Sequence, residues 1–210
     1  VDGYDMPVVS GVINSRDRLA IAMDCDFGKI EAKVRAGLDR PIEPITVNSG
    51  PAREVLLEKD EIDLFRLPIP LFSVLDGGPM ITAGVTLAAD PDGEIGGLNA
   101  GVYRYLVKER NLTGIDIVTP NNLRRFAEKA TALGKALPIS INIGTHPSDV
   151  IAATYKAPLG TSEVAISGGM RGEGLTLTPC HTIGIPCIAD AEIVLEAEIL
   201  PTGWTRPEGR

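Results

Sequence analysis

The stretch Asn99–Ala100–Gly101–Val102–Tyr103–Arg104–Tyr105–Leu106–Val107–Lys108 (NAGVYRYLVK) reads as a strand carrying polar residues on a buried face. Side chains of a strand alternate between its two faces. Asn99, Gly101 and Tyr103 then share one face, with Val102 and Arg104 on the other. An asparagine and an arginine on opposite faces of one regular strand do not meet in a site. Gly97 and Gly101 allow a bulge or sharp bend that would re-aim them. The plainer alternative is an edge strand whose Arg104 is solvated.

Upstream of this stretch, Asp76–Pro79 reads as a turn and Met80–Leu87 as a buried strand. Pro91–Glu94 is a hairpin turn, which makes the two strands antiparallel neighbours. Further upstream, residues 16–39 read as two short helices broken between Asp24 and Gly28, with Leu19, Ala22, Met23, Phe27 and Ile30 on one face. Residues 41–58 read as a strand and a turn. The segment LFRLPIPLF (64–72) is interrupted by proline and cannot be a helix interior.

Downstream, residues 114–118 (GIDIV) form a short strand. Residues 120–134 are the clearest helix, with Leu123, Phe126, Ala127, Ala130 and Leu133 on one face and Gly134 as the stop. Ile139–Ile143 is a strand, and Pro147 opens a helix running to Thr154. Gly168–Gly169 reads as a glycine-rich turn. Residues 175–179 and 191–200 read as strands; the second alternates Glu192, Glu196 and Glu198 with Ile193, Leu195 and Ile199.

A chain of 210 residues is long enough to bury a substantial core. With no internal repeat and no linker, residues 1–210 read as one domain. Glycine (23) and proline (16) are plentiful, so turns are many and elements short, which favours mixed or mostly β structure over a helical bundle. A net charge of −8 without a basic run argues against nucleic acid and against anionic membrane surfaces. No apolar run approaches the about 20 residues of a membrane span. The opening VDGYDMP is neither a signal nor a transit peptide. Cys25, Cys180 and Cys187 are odd in number and lack metal-ligand spacing. They read as buried free thiols in a reducing cytoplasm. Only His146 and His181 are available, too few for a histidine-rich metal centre, and neither has a spaced partner for a catalytic triad. The abrupt beginning and the polar, irregular end (PTGWTRPEGR, 201–210) suggest a piece of a longer chain.

Three constellations carry chemistry. Asn99, Asn122 and Glu163 offer oxygen donors, which suit hard cations such as Mg²⁺ or Mn²⁺ if a ligand phosphate completes the shell. Alternatively, Asn122 belongs to a helix cap and Glu163 is a solvated loop acid. Arg104 with Glu208 forms the second set. An arginine clamps a carboxylate through paired hydrogen bonds, and a desolvated carboxylic acid can deliver a proton to carbon. An ordinary ion pair, or two unrelated surface charges, is the alternative. The third is GGMRGEG (168–174) with Arg171, which lacks both the P-loop lysine spacing and the dinucleotide fingerprint, so a plain turn is the simpler reading.

The strings YDMPVVSG (4–11), DGGPMIT (76–82), NAGVYR (99–104), APLGTSE (157–163), AEIVLEAEI (191–199) and PEG (207–209), in that order, resemble the UbiD family of decarboxylases that use prenylated FMN. The resemblance covers essentially the whole chain. It implies an α+β fold, with a mixed sheet forming a split β-barrel of the flavin-reductase type and flanking helices. It implies that Asn99 and Arg104 open the cofactor site, lined also by Ala100, Gly101, Val102, Tyr103, Asn121, Asn122, Ala153, Thr154 and Glu163. The family's metal clamp is an Asn, a His and a Glu. Asn99 and Glu163 match, but the histidine position falls on Asn122, so oxygen replaces imidazole. A potassium ion at the backbone carbonyls of Ala153–Tyr155 fits the same pattern. In the family's Glu–Arg–Glu triad, Arg104 matches the arginine and Glu208 the first glutamate, and the proton donor falls beyond Arg210.

The resemblance further implies reversible, non-oxidative decarboxylation of an aromatic, heteroaromatic or α,β-unsaturated acid. By the same resemblance, the family's N-terminal segment and C-terminal assembly domain are expected to lie outside this sequence. The intact parent is expected to be a homo-oligomeric carboxy-lyase, and this core by itself inactive. Two rivals are a flavin-binding module without decarboxylase activity and a structural or assembly domain without cofactor.

Overall fold

The computed structural model describes residues 2–202, and its strands form three sheets accompanied by five α-helices. The helices are α1 (Arg16–Ala22), α2 (Ile30–Asp39), α3 (Asn122–Ala132), α4 (Pro147–Thr154) and α5 (Glu163–Arg171). The central sheet is antiparallel, in the order β10 (Ile193–Ile199), β7 (Leu137–Ile143), β3 (Val85–Ala89), β4 (Leu98–Val102). A second antiparallel sheet joins β2 (Met80–Ile81), β5 (Tyr105–Glu109) and β6 (Leu112–Ile115). The third is mixed: β1 (Ile45–Thr46) runs parallel to β8 (Thr176–Pro179), which pairs antiparallel with β9 (Pro186–Ile188). None of the three closes on itself among the described residues, and no helix among them is long and apolar enough to cross a membrane.

The central sheet is buried on both faces, and the alternation along β3 shows how. Ala88 faces a cluster with Leu123, Phe126 and Ala130 of α3 and Ile139 and Ile141 of β7. Val85 and Leu87 face the other way, toward Ala153 of α4, Val164 of α5 and Ile188. The α3 pattern read from the sequence holds: Leu123, Phe126, Ala127 and Ala130 are buried, while Leu133 sits at the C-cap, half exposed. The β3–β4 hairpin is antiparallel as expected, with Leu87 opposite Ala100.

Four expectations are corrected. Met80–Leu87 is not one strand: β2 and β3 belong to different sheets. The chain crosses between them at Gly84, where a Cβ would stand 2.6 Å from Ile141, so the backbone passes too close to β7 for a side chain. The Asn99–Lys108 stretch is likewise two strands. β4 pairs with β3, and β5 pairs with β2 and β6. The break falls at Tyr103–Arg104 and not at Gly97–Gly101. Gly168 and Gly169 do not form a turn but lie inside α5. A Cβ on Gly169 would meet the Arg40 carbonyl oxygen at 2.5 Å and the Gly37 Cα at 2.8 Å. Gly169 therefore lets α5 press against α2, Gly168 lets it approach the Ile42 carbonyl, and Gly172, with φ +86°, ends the helix in the left-handed conformation. The three cysteines are free, but only Cys180 and Cys187 are buried; Cys25 is half-buried.

Candidate functional site

β4 is the edge strand of the central sheet, and α3, α4 and α5 all pack against it. An edge strand leaves every second N–H and C=O without a strand partner. Here the first turn of α5 meets them with side chains. Ser162, the N-cap of α5, donates its hydroxyl to the Leu98 carbonyl at 3.4 Å while accepting from the Ala165 N–H. Glu163 Oε2 accepts the Ala100 N–H at 3.0 Å. Glu163 is only 3% exposed, and burial pushes its carboxyl above the usual range, against the opposing pull of the Ala100 hydrogen bond. It is thus not the solvated loop acid of the plainer alternative.

Asn99 is buried on the next position of the same strand. Its side chain hydrogen-bonds Tyr103, whose phenol is pushed up to about 12 by burial, with the nearby Glu163 charge adding to the shift. The Tyr103 ring lies across Gly101, where a Cβ would stand 2.5 Å from the hydroxyl. Asn99, Gly101 and Tyr103 therefore share a face, as the period of the strand requires. That face belongs to α3. Asn99 stands opposite Ala88, and Ala88, Tyr103 and Leu123 belong to one apolar cluster.

The helix begins at Asn122, half-buried beside Leu123, with the N-cap one residue earlier. Asn121 takes that cap: its side chain accepts from Arg124 N at 2.8 Å and donates to the Thr119 carbonyl. Ala153 is buried in the last turn of α4, and Thr154 donates its hydroxyl to the Ile151 carbonyl.

Arg104 is not buried. It stands at the crossover between β4 and β5 with its side chain 53% exposed, and its Nη2 pairs with Asp116 Oδ2 at 2.7 Å. Asp116 went unremarked in the sequence, yet the register reveals it: Tyr105 opposes Ile115, so the next step outward sets Arg104 against Asp116. Glu208 lies outside the described residues. A second unremarked group sits behind Glu163. Asp149 of α4 and Ser167 of α5 are buried, and Ser167 donates to Asp149 Oδ1 at 2.5 Å. Ser167 follows Glu163 by four residues on one helix, a spacing that places both on the same face. The structure thus brings Asn99, Ala100, Gly101, Tyr103 and Glu163 together, sets the start of α3 on the Asn99 face, and leaves Arg104 at the rim. Among the described residues, no three His, Cys, Asp or Glu side chains are grouped to hold a metal, so any metal here needs the amide oxygens.

The sequence model of the 3-octaprenyl-4-hydroxybenzoate carboxy-lyase Rift-related domain (UbiD) matches residues 45–210. The chain belongs to the UbiD family. β4, α3 and α5, with Asn99, Asn122 and Glu163, lie inside the matched region. Among UbiD relatives and look-alikes, anhydromevalonate phosphate decarboxylase of Methanothermobacter thermautotrophicus is 33% identical over 196 residues, which span 93% of this chain and 44% of that protein. The structure of an evolved dimeric form of the UbiD-class enzyme HmfF from Pelotomaculum thermopropionicum, in complex with prFMN, matches with a TM-score of 0.89 at 34% identity, over 96% of this chain and 47% of that one. Apo 3,4-dihydroxybenzoic acid decarboxylase (AroY) of Klebsiella pneumoniae matches with a TM-score of 0.86 at 30% identity, over 96% of this chain and 43% of that one. The chain therefore spans less than half the length of each. The Methanothermobacter and Klebsiella proteins are named as decarboxylases, and the HmfF structure carries prFMN.

Proposed function

We propose that residues 1–210 form the cofactor-binding core domain of a prenylated-FMN-dependent carboxy-lyase, which reversibly decarboxylates a small aromatic, heteroaromatic or α,β-unsaturated acid. The observation that carries this reading is Glu163: a buried carboxylate fastened to the strand that holds Asn99. The likeness to prFMN-bound HmfF supports it. In this reading the central and second sheets correspond to the family's split β-barrel of the flavin-reductase type. β4 runs on into β5 across the two sheets, and a buried Thr86–Tyr105 hydroxyl contact of 2.6 Å ties them together.

The residues present fit the group. Burial disfavours the ionised form of Glu163, and a bound cation would reverse that preference. Asn99, Asn122 and Glu163 would hold Mn²⁺ or Mg²⁺ through oxygen, and the metal would hold the cofactor phosphate. The carbonyl end of α4 at Ala153–Tyr155 carries the negative end of a helix dipole, which suits a weakly held potassium ion.

When bound, prenylated FMN supplies the electron sink for the bond pair released as CO₂ departs. Arg104 would bind the substrate carboxylate with charge-assisted hydrogen bonds, its guanidinium oriented by Asp116 through Nη2. Tyr103, packed over Gly101, would wall the site beside Ala100 and Val102 and keep Asn99 oriented. As CO₂ leaves, the C–C bond to the carboxylate breaks, and a carboxylic acid would return a proton to the substrate carbon, where the former bond pair becomes the new C–H bond. Glu208 would tune Arg104 and that acid. Three free thiols accord with a cytoplasmic enzyme, and the relative described as dimeric supports a homo-oligomer for the whole protein.

The test mixes the protein with prenylated FMN and Mn²⁺, separates it by gel filtration and reads flavin absorbance in the protein peak. Co-elution that disappears in Asn99→Ala and Glu163→Ala is the expected result. A wild-type protein that retains no flavin, or variants that retain as much as wild type, would overturn the reading.

A further inference from the structure

Behind the edge of β4 lies a cavity with about 10 Å³ open to the centre of a water-sized sphere, which is about the room one water molecule needs. Asp149, Glu163 and Ser167 line it, together with apolar side chains such as Val85, Leu87 and Leu175. All three polar residues are nine-tenths or more buried. Ser167 spends its hydroxyl proton on Asp149 Oδ1, and the Ala100 N–H goes to Glu163 Oε2. Asp149 Oδ2 is buried with no hydrogen-bond partner. The rest of the cavity wall is hydrocarbon, the Glu163 carboxyl and the Ser167 hydroxyl, whose proton is already given to Asp149 Oδ1. Arg171 does not line the cavity; its Nη1, 3.7 Å from Asp149 Oδ1, is beyond hydrogen-bond reach and is itself buried without a hydrogen-bond partner.

A buried acceptor left without a donor is unfavourable, and native proteins meet such groups with internal water. A water molecule has two hydrogens to give, and this cavity presents two carboxylates. We propose that one ordered water fills the cavity and donates to both Asp149 Oδ2 and a carboxylate oxygen of Glu163. Asp149 and Ser167 are thereby positioning residues for Glu163. The Ala100 N–H fixes Glu163 from the strand side and the water fixes it from the core side. That leaves one preferred orientation for the carboxylate. The functional consequence rests on the proposed role of Glu163 in the cofactor clamp; the water itself does not.

The experiment has two readouts independent of the cofactor and one that depends on it. A crystal structure of the wild-type protein should show one water within hydrogen-bond reach of Asp149 Oδ2 and Glu163. An empty cavity, a metal ion there, or an occupant touching only one carboxylate would overturn the proposal. In ¹³C-glutamate-labelled protein, the Glu163 carboxyl resonance, identified by its loss in Glu163→Gln, should move in Ser167→Ala and in Asp149→Leu. A resonance that stays in place in folded variants would also overturn it. Flavin affinity in the presence of Mn²⁺ should fall about tenfold in Asp149→Leu, the usual size of an outer-sphere loss, and recover largely in Asp149→Asn, which keeps an acceptor of the same shape. If wild type binds no flavin, the functional reading fails while the density and the resonance still decide the water.

Discussion

Glu163 accepts the backbone N–H of Ala100 across 63 residues of sequence, at 3.0 Å. The first helical residue of α5 thereby stands where the next strand of the central sheet would be. Ser162 supplies the matching donor to Leu98 one pleat away. An edge that would otherwise invite a foreign strand is covered by two side chains, and one of them is a carboxylate that burial makes reluctant to ionise.

That reluctance has a pH signature in the metal-free protein. Burial holds the Glu163 carboxyl above its usual range, so the folded state binds this proton more tightly than the unfolded chain. Stability then falls as pH rises from the ordinary glutamate range through the raised value. Glu163→Gln keeps an acceptor for Ala100 and carries no charge. It should melt higher than wild type at neutral pH, and the gap should close below about pH 4. Calorimetry across that range checks it; a gap independent of pH would mean the charge is not the cause.

Gly169→Ala should separate α5 from α2. The new Cβ would meet the Arg40 carbonyl and the Gly37 Cα, both backbone atoms that cannot swing aside. Overpacking of this kind costs about 1–3 kcal/mol. Urea unfolding should show a lower midpoint with an unchanged slope.

Tyr103→Phe removes the partner of a buried amide. Leaving the Asn99 side chain short of a hydrogen bond should cost about 1–3 kcal/mol. Flavin retention should fall with it if the amide needs that bond to stay aimed. Equal retention in the variant would show that Asn99 is held by packing alone.

Arg104→Ala should be nearly silent in stability. The ion pair to Asp116 is half-exposed on the arginine side, and pairs of that kind contribute under about 1 kcal/mol. CO₂ release by the whole protein should nevertheless vanish. A large drop in melting temperature would instead make Arg104 a structural residue of the β4–β5 crossover.

Much of the fold was legible because local periodicity reports burial directly. The face of α3 follows from helical spacing of Leu123, Phe126, Ala127 and Ala130, and the antiparallel β3–β4 pair follows from its turn residues. The common face of Asn99, Gly101 and Tyr103 follows from the pleat alone. Glycine misled twice. At Gly97–Gly101 it suggested a bend that the chain makes two residues later, and at Gly168–Gly169 it suggested a turn where it serves close helix contact. A missing side chain signals either an unusual backbone angle or a near neighbour, and sequence alone does not distinguish the two.

The sequence by itself determined the short elements, the buried face of α3 and the antiparallel pairing of β3 with β4, because those depend on residue types a few positions apart. The family and the α+β class came from the likeness of its motifs to the UbiD family. Only the tertiary structure decided that Glu163 closes the edge of that strand, that Asp149 and Ser167 stand behind it, and that Arg104 is held at the rim by Asp116. Contacts such as Glu163 with Ala100 join residues far apart in the chain. Their partners are chosen by which helix covers which sheet edge, and no local pattern of spacing records that choice.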